Sequence, residues 1–125
     1  MTALIFLLLS VAGGLGAATR FFFDGVLRSK LQTAFPWPTT IINVSGSLAL
    51  GFITGLTLTH LFPSELSIVI GTGFLGGYTT FSTASYETVR LIKQGRYGSS
   101  LASGIGMLIL SVGASGLGLW LASLA

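Results

Sequence analysis

Cysteine is absent from this 125-residue chain, which excludes disulfides and thiolate metal sites. Charge is scarce as well: 7% of residues are Asp, Glu, Lys or Arg, against roughly 25% in a soluble domain. The acids are Asp24, Glu65 and Glu87, and the one histidine is His60. Neither an acid nor a second histidine accompanies His60 at ligand or triad spacing, so enzyme chemistry has no residues to work with. Proton-coupled carriers keep Asp, Glu or His inside the membrane as a relay, and here Glu87 alone falls in an apolar run, near its end. The net charge of +3 leaves too few cations for a nucleic-acid footprint.

What the chain has is apolar surface: 51% hydrophobic residues and a mean hydropathy of +0.88. A small water-soluble globule could not cover itself with so few charges, so the chain belongs in a lipid bilayer. A spanning helix needs about 20 mostly apolar residues. Four runs qualify: residues 2–19, stopped by Arg20; 39–59, after the Pro36-Trp37-Pro38 turn; 66–89, after Phe62-Pro63-Ser64-Glu65; and 99–124. The expected fold is therefore an all-α membrane protein, one four-helix transmembrane domain over residues 1–125. Gly16-Ala17-Ala18 resembles a signal-peptide cleavage site, but no Lys or Arg precedes the first run and its apolar stretch is long. It reads as a retained helix.

Glycine numbers 18, and in lipid small residues let helix backbones approach closely. Gly13 and Gly16, Gly51 and Gly55, and Gly113, Gly116 and Gly118 suit such contacts. The third run differs, because residues 71–83 combine four glycines with five Ser or Thr hydroxyls. Glycine costs about 1 kcal/mol against alanine in a helix, so either a break or a plain kink is expected there. Broken backbone at that depth survives only when buried in protein or facing water or an ion, and freed carbonyls can ligate a hard cation such as Na⁺.

The polarity left inside the membrane is neutral. Asn43 lies a turn inside the second run, with Thr39 one turn before it; Thr79, Thr80, Ser82, Thr83 and Ser85 follow in the third. Ser103, Met107, Ser111 and Ser115 repeat every four residues on one face of the fourth. Hydroxyls in membrane helices often bond their own backbone four residues back. An asparagine amide needs partners in hydrocarbon, either as an interhelical bond or as a pore-lining donor. Neutral donors can replace part of an anion's hydration shell and still release it.

These residues resemble the Fluc/CrcB fluoride channels along essentially the whole chain. Gly13-x2-Gly16-x3-Arg20 resembles that family's glycine-arginine block, and Thr39-x3-Asn43-x2-Gly46-Ser47-x3-Gly51 its threonine-asparagine-glycine block. Gly76-Gly77-Tyr78-Thr79-Thr80-Phe81-Ser82-Thr83 is similar to its signature, the most specific of the three. The resemblance implies a passive channel exporting F⁻, with two pores at the interface of an antiparallel dimer and a structural Na⁺ at its centre. Carried over, the Na⁺ carbonyls fall on Gly76 and Thr79. The fluoride pore falls on Thr39, Asn43, Phe81, Ser82, Thr83 and Ser111, and Arg20 and Glu87 match further family positions. Two residues depart from the pattern: Ala84 replaces the second ring, one turn after Phe81, and Pro38 replaces a glycine.

With four spans, Arg20, Arg28, Lys30, Arg90, Lys93 and Arg96 all fall on one side of the membrane and none on the other. The positive-inside rule then places both termini outside the cell membrane, in one fixed orientation. The expected partner is a homologue inserted the other way, or a second copy of the chain. Two other readings compete: a subunit with a degenerate pore that completes a heterodimer, and a dual-topology cation or multidrug exporter, which would need a carboxylate that the first run lacks.

Overall fold

The computed structural model describes residues 2–33 and 35–125, and among them it is helical with no strand. Helix α1, Ala3–Lys30, begins at Thr2, whose hydroxyl accepts the Ile5 amide at 3.2 Å. It ends on Arg28 and Lys30, cations that suit the negative end of a helix. The expectation that Arg20 stops the first run is corrected, because the helix continues through it. The Arg20 guanidinium has a partner, the Gly77 carbonyl, and beyond it Asp24 and Arg28 pair at 2.9 Å across one turn.

Helix α2, Trp37–Leu58, starts with Pro38 in its first turn, where the missing N–H costs nothing. It closes through a Schellman turn, with His60 at φ 62 and the Leu61 amide bonding the Leu56 carbonyl at 2.9 Å. The lone histidine is thus a helix terminator. The third run is divided. A short helix α3, Ser64–Ser67, leads into a π-helix, Ile68–Leu75, whose Gly76 amide reaches back five residues to the Gly71 carbonyl. A short α4, Gly76–Tyr78, ends where Thr79 turns extended at ψ 161, and α5, Ser82–Lys93, resumes the helix. Gly95 at φ 75 closes α5, and α6 covers Tyr97–Ser123. The helices α1, α2 and α6 are each long and apolar enough to cross a membrane.

Glycine sets how these elements pack. A Cβ on Gly51 would lie 2.2 Å from the Ser115 carbonyl oxygen, and one on Gly118 would lie 2.3 Å from that of Leu48, so α2 and α6 touch backbone to backbone. The same holds between α1 and the third run, with Gly16 against Phe74 and Gly77 against Gly13. At one end of the bundle, Glu87 of α5 meets Arg28 of α1 and Thr39 of α2, while Ser100 of α6 bonds the Thr88 carbonyl. The first and third connections therefore lie together, as the charge reading requires. Leu8, Leu15, Phe22, Ile109 and Trp120 remain exposed on the outside, an apolar surface suited to lipid.

Candidate functional site

The site is the break between α4 and α5, and one side chain holds it open. Asn43 of α2 pairs with both main-chain polar groups of Thr80: its Oδ1 accepts the Thr80 amide at 2.8 Å, and its Nδ2 donates to the Thr80 carbonyl at 2.8 Å. An asparagine amide has the donor and acceptor of a peptide group, so it replaces the helical partners that the break removes. Gly46 makes the approach possible, since a Cβ there would lie 2.4 Å from Thr79 Cγ2.

This pairing releases particular carbonyls. In a continuous helix the Thr80 amide would bond the Gly76 carbonyl; it is given to Asn43 instead. The Thr83 amide would bond the Thr79 carbonyl; it goes to the Thr80 hydroxyl at 3.2 Å, which caps α5. The carbonyls of Gly76 and Thr79 both lose their helical partners, while the Gly77 carbonyl between them receives Arg20 Nε at 3.3 Å. Among the described residues no three His, Asp or Glu side chains cluster to hold a metal.

The break opens onto a groove of about 800 Å³ between α2, the third run and α6. Asn43, Thr80, Phe81, Ala84, Met107 and Ser111 line it. Phe81 is 86% exposed on the surface of the chain. Ser82 is exposed and Thr83 half-buried; each hydroxyl contacts Thr80 Oγ1, at 3.4 and 3.2 Å. Thr79 and Ser85 return their hydroxyls to carbonyls four residues back, as membrane hydroxyls commonly do. Ser103 and Ser111 of α6 do not: their Oγ atoms are buried without a hydrogen-bond partner in the described chain.

Thr39 and Glu87 sit apart from the break, at the cationic end. Glu87 is 2% exposed; Thr39 Oγ1 donates to its Oε1, and Arg28 Nη2 lies 3.3 Å from its Oε2, with Arg90 at 3.9 Å. A buried carboxylate survives when it is paired and hydrogen-bonded in this way. The expected site residues thus fall into two groups, Asn43 with residues 76–83 and Ser111 at the break, and Thr39 with Glu87 at the end. Arg28 joins the second group, and the sequence signal for it is its spacing of four from Asp24.

The fold is that of a helical membrane protein with a side-chain-stapled break in its third apolar run. The family of CrcB-like proteins, described as Camphor Resistance (CrcB), matches residues 7–121. A protein of Leifsonia xyli subsp. xyli named fluoride-specific ion channel FluC 1 is 56% identical over 125 residues, 100% of this chain and 91% of its own length. A fluoride-specific ion channel FluC 2 of Cutibacterium acnes is 48% identical, over 90% of this chain and 93% of its own. A fluoride-specific ion channel FluC of Thermus thermophilus is 35% identical, over 86% of this chain and 86% of its own. The chain belongs to the CrcB family.

Proposed function

We propose that this chain is a subunit of a fluoride-selective passive channel that exports F⁻ across a cell membrane and lowers its toxicity. The observation that carries the reading is the stapled break itself, lying inside the signature at 76–83 of a family whose named relatives are fluoride channels. Residues 64–93 act as the fourth span in two pieces, because they run from beside the end of α2 to the Glu87 cluster at the opposite end. Neutral donors at Asn43, Ser82, Thr83 and Ser111, with the positive ring edge of Phe81, can bind a partly dehydrated anion without trapping it.

The working unit is an antiparallel dimer. The exposed Phe81 and the open groove beside it are what a partner subunit would cover, supplying the far wall of a pore. The same pairing would bring two Gly76 and two Thr79 carbonyls together, a set of neutral oxygens fit to hold a structural Na⁺ at the centre. That ion would supply positive charge to tie the two breaks together. A second reading, the degenerate partner of a heterodimer, draws support from Ala84, which lines the groove with a methyl where the family pattern has a ring. The exporter reading lacks the acid it needs in the first run. The test is fluoride efflux from liposomes, with chloride as control. Fluoride but not chloride should pass, and efflux matching that of empty liposomes with every homologous mate tried would overturn the channel.

A further inference from the structure

Every hydrogen on the Asn43 amide nitrogen is in use. One bonds the Thr80 carbonyl, and Nδ2 also lies 3.1 Å from the Met107 sulfur. Met107 is 7% exposed and stands on α6 between Ser103 and Ser111, one helical turn from each on the same face. Ser103 is 1% exposed, and both serine hydroxyls are buried without a partner in the described chain. Buried hydroxyls are nearly always bonded, so two orphans in line with an asparagine amide point to an occupant that accepts hydrogen bonds. The thioether between them cannot serve that occupant, because sulfur here has lone pairs and no proton to donate.

We propose that Met107 is a stopper in this chain's own row of donors. It takes the Asn43 proton that an anion would use and separates the Ser111 hydroxyl from the Ser103 hydroxyl. A permeating F⁻ needs a donor at each step, and at Met107 it meets lone pairs instead. The row Ser111, Asn43, Ser103 is thus a fluoride route throttled at one side chain, and Met107 is its rate-setting residue. The inference rests on the fluoride-channel reading and goes beyond it, since it assigns the limit on flux to a residue outside the family signature.

The test compares wild type with Met107→Ser and Met107→Ala, each as the full chain. Met107→Ser should raise fluoride efflux from liposomes at least tenfold with chloride still excluded. Met107→Ala should give a smaller rise. A second readout is independent of transport: titration of the Asn43 side-chain amide NMR signals with sodium fluoride, in detergent. Those signals should move with fluoride in the Ser and Ala variants and stay fixed in wild type. If none of the proteins conducts but the amide responds only in the Ser and Ala variants, the stopper stands and the channel reading of the chain alone fails. Equal responses in wild type and variants, no response in any, or unchanged efflux from a folded Met107→Ser in a conducting system, would each overturn the stopper.

Discussion

Removing the Asn43 amide should loosen the break at one peptide group. Asn43→Ala deletes the acceptor of the Thr80 amide and the donor to the Thr80 carbonyl, both at 2.8 Å. The Thr80 amide has no ready return to the Gly76 carbonyl, because Thr79 is held extended at ψ 161 and the Thr80 hydroxyl caps α5 through Thr83. A net hydrogen bond contributes about 1 kcal/mol in proteins generally and about 0.6 kcal/mol between membrane helices, so the pair contributes about 1–3 kcal/mol once the unmet groups are counted. At a factor of ten for each 1.4 kcal/mol, Thr80 amide hydrogen exchange should accelerate from several-fold to about a hundredfold. The Thr79 amide, bonded to the Leu75 carbonyl at 2.9 Å, serves as an internal control and should keep its rate. Asn43→Asp separates the two bonds: its carboxylate still accepts the Thr80 amide and preserves that protection, but it sets an oxygen against the Thr80 carbonyl. Fluoride efflux should fall in both variants. A Thr80 amide in Asn43→Ala that exchanges at the wild-type rate would refute the staple.

Gly51→Ala, whose Cβ would sit 2.2 Å from the Ser115 carbonyl oxygen, should destabilise the detergent-solubilised protein by about 1–3 kcal/mol in thermal melts. Gly113→Ala, with no atom within 4 Å of its Cβ, should leave melting unchanged or raise it. Arg28→Ala should lower the melting temperature more than Glu87→Gln, since the first leaves a buried carboxylate with Arg90 at 3.9 Å as its nearest cation and the second leaves a neutral amide that Thr39 can still bond. Because the Arg28 side chain is 41% exposed, the cost of its removal is held to about 1–2 kcal/mol. Replacing Na⁺ with K⁺ should lower the dimer fraction of the purified protein, measured by cross-linking; an unchanged fraction would count against the central cation. A cysteine introduced after Ala125 should label from the outside alone, and equal labelling from both faces would defeat the fixed orientation.

Much of this arrangement is legible in the residues, and the illegible part has a common physical origin. The apolar runs give the helices because lipid leaves the backbone no other partner, and the glycine and hydroxyl stretch at 71–83 marks the break because it disfavours an unbroken helix. Arg20 is misleading as a stop signal for the opposite reason: its charge is answered by the Gly77 carbonyl, which is available only because the third run is broken. Chain order likewise hides that Arg28 and Thr39 meet at Glu87, since the contacts join α1, α2 and α5 across the bundle end. Asn43 carries the argument furthest. Its type and depth in α2 announce a need for partners, but two readings satisfy that need, an interhelical bond or a donor to an anion. Packing decides which proton does which. Gly46 lets Thr79 come close enough that the amide meets Thr80 face on, which commits Oδ1 and one Nδ2 hydrogen to holding the break. The second Nδ2 hydrogen is left facing α6, so the residue at 107 determines whether that proton is free for an anion. On the proposed route, structural and conducting roles fall to different hydrogens of one side chain, and the sequence distinguishes them only through a methionine set in a row of serines.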